Sequence, residues 1–238
     1  MNNIVIIFKK EFNSYFNSHI AYIFITVFLI LSGWLFLRGF FLINQATMRG
    51  YFDILPWLFL FFVPAITMRL WSEEKKLGTL EILYTLPLKN HEIVLGKFLA
   101  SFLFLILNVS LTFTIPLMIS MIGNPDHGPI VGSYIGAFLM GGAYLAIGLF
   151  ASSLTENQIV AFIIGVVISF ILLIIGENFI LLVAPDILVP VLRYLGLGVH
   201  FDSIGRGVID TRDLIYYLSI IVVFLYFNIQ FLESKKWR

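Results

Sequence analysis

Cysteine is absent from the 238 residues, so the chain has neither a disulfide framework nor a thiolate metal site. Charged residues are also scarce, at 12%, whereas soluble domains carry about a quarter. Sixty per cent of the residues are hydrophobic and the mean hydropathy is +0.98. A soluble fold cannot bury so much apolar surface, but a lipid bilayer can accommodate it. The net charge of +1 gives no indication of a nucleic-acid partner.

The sequence also lacks the motifs of nucleotide and hydrolase chemistry. The only Gly-Lys pair is Gly96-Lys97, and Phe98 follows it, so there is no P-loop. We therefore expect that the chain is not an enzyme by itself and binds no cofactor. The metalloprotease and Gly-x-Ser-x-Gly signatures are missing as well. We predict structural or solvated roles for the dispersed histidines, which are His19, His91, His127 and His200.

Ionisable residues are nearly absent from the apolar segments. Arg38, Glu156 and Glu177 lie near segment ends and none lies near a centre. An ion-driven carrier usually buries such groups at mid-membrane. Their absence from the segment centres therefore argues against an ion-driven secondary transporter. Glu177 is either a pathway residue or, as we favour, a side chain that reaches the outer interface.

Six long segments are almost free of charge. We predict transmembrane helices, because barrel strands would alternate apolar and polar residues over about ten positions. The fold class that follows is an all-α integral membrane protein, with one domain over residues 1–238. The predicted spans are 19–43, 53–71, 98–122, 130–155, 157–183 and 214–232.

The basic residues indicate the orientation. With the N-terminus inside, all lysines, Arg69 and Arg238 are cytoplasmic, whereas Arg38, Arg49, Arg193, Arg206 and Arg212 fall outside. The positive-inside rule then predicts that both termini are cytoplasmic. The predicted location is the bacterial cytoplasmic (inner) membrane.

Residues 1–18 predict an amphipathic helix at the cytoplasmic interface; a frayed terminus is the alternative. We do not expect a cleaved signal, since the apolar run that follows is too long for one. The apolar face contains Ile4, Ile7, Phe8, Phe12, Tyr15 and Phe16, and the polar face contains Lys9, Lys10, Asn13, Ser14 and Asn17.

The cytoplasmic connector 72–97 is the most charged part of the chain. Leu80, Leu83 and Tyr84 recur at helical spacing, and Pro87 ends any helix that begins at Thr79. Apolar groups beside charges predict a docking surface. The alternative is packing on the bilayer or on other helix ends.

Two further segments are distinctive. Residues 184–213 are apolar but interrupted by proline and glycine, which predicts re-entrant or interfacial helices at the outer end of the bundle.

The fourth span is rich in glycine and alanine, which predicts either a tight bundle or a helix that faces a partner subunit. The basic tail 233–238 is expected to be an ordinary anchor on the inner side.

Two stretches together resemble the ABC-2 family of ABC-transporter permeases. The first is Pro64-Ala65-Ile66-Thr67-Met68-Arg69-Leu70-Trp71-Ser72-Glu73-Glu74-Lys75-Lys76-Leu77-Gly78-Thr79-Leu80-Glu81-Ile82-Leu83, with Thr85-Leu86-Pro87-Leu88 and Gly96-Lys97 after it. The second is His200-Phe201-Asp202-Ser203-Ile204-Gly205-Arg206-Gly207-Val208-Ile209-Asp210, with Arg212-Asp213 and Tyr216-Tyr217 after it. The second stretch is similar to the gliding-motility-type branch of the family.

The resemblance implies a permease that works as a pair of six-span units. The second unit is the same chain or a different subunit, and two separate cytoplasmic ATPases bind ATP and Mg. The branch also implies a subunit with a large extracytoplasmic domain. The implied ATPase-coupling residues are Glu73, Glu74, Lys75, Lys76, Gly78, Thr79, Leu80, Glu81, Leu83, Tyr84 and Pro87. Residues 1–18 would be the connecting helix, with Phe8, Lys9, Lys10 and Phe12 near the ATPase, and the outer motif would hold His200, Phe201, Arg206, Gly207 and Asp210.

Three functions follow as expectations. The leading one is an ATP-driven, export-type permease or an energy-transducing subunit. The second is a membrane anchor that transmits force without transport. The third is an ion-driven secondary transporter, and an intramembrane enzyme has the least support.

Overall fold

The structure, a computed structural model, describes residues 3–43, 45–207 and 210–236. All regular secondary structure in these ranges is helical. Residues 1–2 of the predicted amphipathic helix, residues 208–209 of the second motif and residues 237–238 of the basic tail lie outside the described residues. The helices are α1 (Asn3–Asn17), α2 (His19–Ile43), α3 (Arg49–Thr67), α4 (Arg69–Lys76), α5 (Thr79–Thr85), α6 (Asn90–Leu111), α7 (Thr114–Ile122), α8 (His127–Leu154), α9 (Gln158–Ile174), α10 (Asn178–Leu181), α11 (Val189–Leu195), α12 (Leu197–Gly205) and α13 (Thr211–Lys236).

Five helical stretches of the described chain are long and apolar enough to cross a membrane. They are α2, α3 with α4, α6 with α7, α8 and α13. This arrangement confirms that the chain is an all-helical, multi-pass membrane protein.

The predicted span 157–183 is broken in the structure. Its helical part, α9, has 17 residues and a length of about 26 Å, slightly short of a bilayer core of about 30 Å. The helix ends where the backbone of Gly176 meets that of Gly196, since a Cβ on Gly176 would lie 3.0 Å from Gly196 Cα. The six-span layout therefore remains a prediction.

Helices extend into the predicted connector 72–97 from both sides. Helix α3 runs through Pro56 and Pro64 in its interior and continues as α4 after a break at Met68. Helix α6 already begins at Asn90, because the Glu92 carboxylate accepts from the Lys89 N–H at 2.9 Å and caps the first turn. The residues between these two helices are therefore 77–89, and they include α5; the cytoplasmic bounds 72–97 stay a prediction.

Helix α8 lies at the centre of the bundle and packs against α3, α6, α9, α12 and α13. Its glycines allow the close approach: a Cβ on Gly141 would lie 2.9 Å from Leu105, and a Cβ on Gly148 would lie 2.1 Å from Thr67 Oγ1. The structure thus favours a tight bundle within this chain as the reason for the small residues of the fourth span.

The predicted faces of the amphipathic helix agree with the structure. Ile7 and Tyr15 are buried, and the other apolar residues of that face are half-buried, whereas Lys9, Lys10, Asn13 and Ser14 are exposed. The buried face packs along α6, so α1 rests on protein at the end of the bundle that also carries α5. We call this the α5 end.

The opposite end of the bundle, the α12 end, contains short helices. Helix α12 is packed into the bundle, with Leu197, His200, Phe201 and Ile204 buried. Helix α11 has no buried residue. The interrupted segment 184–213 therefore has one packed helix and one exposed helix, as far as the structure describes it.

Candidate functional site

A buried lysine joins three helices at the α5 end. The side chain of Lys97, on α6, is 1% exposed. Its ammonium donates to Glu74 Oε1 at 2.7 Å on α4 and to Glu11 Oε1 at 3.2 Å on α1. It also donates to the Leu70 carbonyl at 2.9 Å. All three ammonium hydrogens therefore have an acceptor, which a buried cation requires.

Two further side chains contact the Lys97 cluster or its ammonium. The Trp71 ring centroid lies 4.9 Å from the ammonium, which is a favourable cation–π distance. Lys10, on the surface of α1, lies 3.5 Å from Glu11 and 4.0 Å from Glu74. We call Lys97, Glu74, Glu11 and Lys10 the Lys97 cluster; it has two positive and two negative charges.

The junction between α3 and α4 is attached to α8 through one hydroxyl. Ser152 Oγ accepts from the N–H groups of Trp71 and Ser72 at 3.1 and 3.2 Å and donates to the Met68 carbonyl at 2.8 Å. A helix start has free N–H groups that need such acceptors. The Lys75 ammonium adds a hydrogen bond to the Ser153 carbonyl. The end of α4 is thus fixed on the last turn of α8.

Helix α5 follows a left-handed turn. Gly78 has φ 70°, a conformation that favours glycine, and the Thr79 hydroxyl donates to the Glu74 carbonyl at 3.2 Å. The helix ends at Thr85, two residues before Pro87, as the sequence predicted. Glu74 therefore belongs both to the Lys97 cluster and to the turn that orients α5.

The structure places the predicted coupling residues on α4, on α5 and in the segments beside α5, and α5 has one packed face. Leu80 is buried, while Leu83 and Tyr84 are half-buried and pack against the core. Tyr84 donates to the Leu232 carbonyl on α13 at 3.4 Å. Burial raises the pKa of the Tyr84 hydroxyl and the charge of Glu74 raises it further, so the hydroxyl stays a neutral donor.

The opposite face of α5, together with the residues that flank this helix, is exposed. Among the apolar side chains, Ile82 is 63% exposed, and Leu77 and Leu86 are also exposed. Glu74 and Lys75 are half-buried. The exposed coupling residues from the sequence prediction are Glu73, Lys76, Gly78, Thr79, Glu81 and Pro87.

Helix α1 is held to α6 at several points. A Cβ on Gly96 would lie 2.7 Å from Ile7 Cγ2, so only glycine permits this approach. The Tyr15 and Ser101 hydroxyls are 3.0 Å apart, and the Tyr15 ring stacks on Phe104 with 4.8 Å between centroids. Burial raises the pKa of Tyr15 to about 12. The predicted connecting-helix residues Phe8 and Phe12 stack at 5.8 Å, with Lys9 and Lys10 exposed beside them.

A cavity of about 460 Å³ opens beside the Lys97 cluster. Its walls come from α1, from the α4–α5 turn and from Lys97 itself, and they include Arg69, Glu73 and Leu83. The cavity separates part of α1 from the start of α5, so there is space for these helices to move relative to each other.

The outer motif forms a second buried polar cluster, at the α12 end. His200 Nε2 lies 2.9 Å from the Tyr194 carbonyl, which only accepts, so this nitrogen carries a hydrogen. His200 Nδ1 lies 2.6 Å from Asp213 Oδ1, which is hydrogen-bonding distance. The ring also stacks on Tyr216 at 3.9 Å. His200 therefore has a structural role between α12 and α13.

The remaining residues of the outer motif have other positions. Phe201 is buried against Gly136 of α8. Gly207 has φ 87° and is exposed, as is Arg206. Asp210 is exposed and its carboxylate accepts from the Arg212 N–H at 2.9 Å, at the start of α13. The structure thus does not bring the five motif residues into one site.

Several residues of these clusters were missed in the sequence. Lys97 was read only as the last residue of the connector and as part of the Gly-Lys pair before the third span, and Asp213 only as part of the second motif. Glu11 and Ser152 carried no prediction. A lysine inside an otherwise apolar helix was the one available signal, because such a charge needs a partner. Among the described residues, no group of three or more His, Cys, Asp or Glu side chains is placed to hold a metal ion.

The fold and the two clusters define a helical membrane protein whose polar contacts lie at both ends of an apolar bundle. Residues 38–236 match the model of the family described as "ABC-2 family transporter protein". This match spans most of the chain, so the chain belongs to the ABC-2 transporter family. It is a membrane permease of an ABC transporter, and family membership implies a partner ATPase. A search of curated proteins found no match.

Proposed function

We propose that the chain is the permease subunit of an ATP-driven, export-type transporter and that a separate cytoplasmic ATPase docks on its α5 end. The chain itself lacks a P-loop, so it is not an enzyme alone, and ATP and Mg bind to the partner. The α5 end then faces the cytoplasm and the α12 end faces outward. The membrane is the bacterial cytoplasmic membrane, and both termini lie inside.

The observation that carries the proposal is the exposed surface of α5 and its flanks. Leu77, Ile82 and Leu86 are exposed apolar residues, and Glu73 and Glu81 are exposed next to them. They lie where α4 and α6 extend past the predicted span limits at residues 71 and 98. Such a mixed patch is typical of a protein interface.

The Lys97 cluster supports a route from this surface into the membrane. A displacement of α5 moves the Gly78 turn and with it Glu74, because the Thr79 hydroxyl is bound to the Glu74 carbonyl. Glu74 is bound to Lys97 on α6, and Lys97 is bound to Glu11 on α1. A push on α5 therefore reaches the third span and the N-terminal helix together.

The wider assembly follows from the family. We infer two ATPases and two permease bundles per complex, the second bundle being this chain or a different subunit. The sequence resemblance at residues 200–217 supports the gliding-motility-type branch, and with it a subunit that has a large extracytoplasmic domain. The membrane anchor that transmits force is the second candidate function, since ATPase docking alone does not require transport.

The test is co-purification of the full-length permease with its partner ATPase, in mild detergent. We expect Ile82→Asp with Leu86→Asp to abolish ATPase capture, because the two carboxylates would be placed in an apolar contact. The control is Leu182→Asp with Val183→Asp, two apolar positions near the α12 end that are even more exposed than Ile82 and Leu86, which should leave capture unchanged.

The outcomes are distinct. Loss of capture only in the α5 variant, with an unchanged elution profile, supports the proposal. Capture that persists in this variant would place the ATPase elsewhere. Capture without ATP-dependent transport in reconstituted vesicles would favour the anchor function.

A further inference from the structure

Three adjoining cavities form a groove at the α12 end of the bundle. Their volumes are about 260, 260 and 320 Å³, and Arg206 lines all three. Three arginines and four carboxylates line this groove, which we call the charged groove. They are Arg49, Arg193, Arg206, Asp53, Asp126, Glu177 and Asp202. The Asp126 carboxylate accepts from the Gly128 N–H at the start of α8, which leaves six charges.

These six charges are not used within the chain. Among the side chains that the structure describes, none of the six forms an ion pair within 4.0 Å. Arg49 and Asp53 are spaced i, i+4 on α3, as are Asp202 and Arg206 at α12, a spacing that normally favours direct pairing. Besides Asp126, the groove therefore presents three arginines and three carboxylates without a direct ion-pair partner among the described residues.

The walls of the groove are held by backbone contacts. A Cβ on Gly196 would lie 2.7 Å from Gly176 Cα, and a Cβ on Gly132 would lie 2.8 Å from the Ile204 carbonyl. At Gly198 a Cβ would lie 3.2 Å from Glu177 Oε1, the end of a flexible side chain that can move aside. The first two approaches are made to backbone atoms and only glycine permits them, so the position of α12 is fixed independently of the charges.

The negative side of the groove favours a bound cation. Partial burial raises the pKa of Asp202, and the charges of Glu177 and Asp53 raise it further, while Arg206 lowers it. A cation among these carboxylates would relieve their repulsion. A metal ion does not fit, because the described residues offer no group of three or more metal-ligating side chains.

The chemistry of the walls also distinguishes types of organic cation. A quaternary ammonium is bound by open aromatic faces, but the two phenylalanines of the groove, Phe52 and Phe201, are only 5% and 2% exposed. Carboxylates instead accept hydrogen bonds from a primary ammonium. Guanidinium groups bind phosphate in a planar, bidentate way.

We propose that the charged groove binds a zwitterion that carries a phosphate and a primary ammonium. The phosphate binds Arg49 and Arg206, and the ammonium binds Asp53, Asp202 and Glu177. The groove lies at the end of the predicted spans, so this zwitterion is either the headgroup of phosphatidylethanolamine or a water-soluble phosphoethanolamine.

The experiment uses the full-length permease in detergent and measures retained lipid by native mass spectrometry. The probes are phosphatidylethanolamine, phosphatidylcholine and phosphatidylglycerol with the same acyl chains, and soluble phosphoethanolamine as competitor. We expect phosphatidylethanolamine to bind on the order of tenfold more tightly than the other two, as for one charge-assisted hydrogen bond.

Two variants test the two halves of the site. Asp202→Asn should remove the preference for phosphatidylethanolamine over phosphatidylglycerol, and Arg206→Gln should weaken the binding of both lipids. Asp186→Asn and Arg212→Gln are matched controls, since both residues are exposed and neither lines the groove. Circular dichroism and the elution profile show whether each variant is folded.

Each outcome decides the proposal. Competition by phosphoethanolamine supports a soluble ligand, and lipid selectivity without competition supports the headgroup. Equal binding of phosphatidylethanolamine and phosphatidylglycerol, or the same selectivity in variants and controls, would overturn it. Since no ATPase is present, this result is independent of the docking proposal.

Discussion

Lys97 Nζ lies 2.7 Å from Glu74 Oε1, and Lys97 is the only charged residue of α6 beyond its first turn. This pair connects the start of α6 with the end of α4, which are separated in sequence by the whole of α5. A buried ion pair is a weak source of net stability but is costly to break on one side only. The pair therefore specifies how the two helices meet.

We predict that Lys97→Met destabilises the protein by about 3–5 kcal/mol, the usual effect of leaving a buried charge without its partner. The measurement is thermal unfolding of the purified protein in detergent. The reason is that Glu74 and Glu11, only 18% and 12% exposed, lose their shared cation.

The second arm of this test is the double variant Lys97→Met with Glu74→Met. It should recover a large part of the lost stability, because one buried charge is then removed with its partner. Lys10→Met is the control, since that side chain is 66% exposed, and its effect should stay within about 0.5 kcal/mol. Equal losses in the single and double variants would mean that Lys97 contributes through packing alone.

The sequence predicted those features that depend on local composition. Apolar runs predicted the membrane helices, Pro87 predicted the end of α5, and the spacing of Ile7 and Tyr15 predicted the buried face of α1. Each of these signals lies within one or two helical turns, so no tertiary information was needed.

The residues that the sequence did not reveal depend on contacts between distant segments. Glu11 and Lys97 are 86 positions apart, and the break of the fifth predicted span follows from the contact of Gly176 with Gly196. Periodicity also could not show which side of α5 is open, because Leu80 and Ile82 are equally apolar, yet one is buried and the other exposed.

Ser152→Ala should loosen the junction between α3 and α4. The hydroxyl serves three backbone groups, those of Met68, Trp71 and Ser72, and removal of a shared partner leaves buried N–H groups without an acceptor. We expect the free energy of unfolding to fall by about 1–3 kcal/mol, which thermal unfolding measures. Ser219→Ala is the control, because this serine is exposed; an equal effect of both variants would contradict the role of Ser152.

Gly148→Ala should disrupt the packing of α8 on α3. The new Cβ would lie 2.1 Å from Thr67 Oγ1, and Thr67 is itself buried and donates to the Val63 carbonyl. Overpacking of this kind costs about 1–3 kcal/mol. In contrast, the Cβ added by Gly33→Ala on α2 would meet open space. This variant should raise the free energy of unfolding by up to about 1 kcal/mol, because alanine has the higher helix propensity. Unfolding midpoints that move in the same direction for both variants would contradict this difference.

Tyr15 predicts a stability difference at alkaline pH. Its folded-state pKa of about 12 lies above the ordinary value of 10.0, so the folded state favours the neutral phenol. The corresponding stability is fully present below pH 10 and is lost as the pH rises through 12. A difference of two pKa units between the folded and unfolded states corresponds to about 3 kcal/mol of the free energy of unfolding.

The variant that isolates this effect is Tyr15→Phe. At neutral pH it should be less stable than wild type by about 1 kcal/mol, because the hydrogen bond to Ser101 is lost. Above pH 10 the wild type loses the additional stability and the variant does not, so the order of the two unfolding midpoints should reverse. Parallel pH profiles for the two proteins would mean that the Tyr15 hydroxyl ionises as freely in the folded chain as in water, which would contradict its burial between α1 and α6.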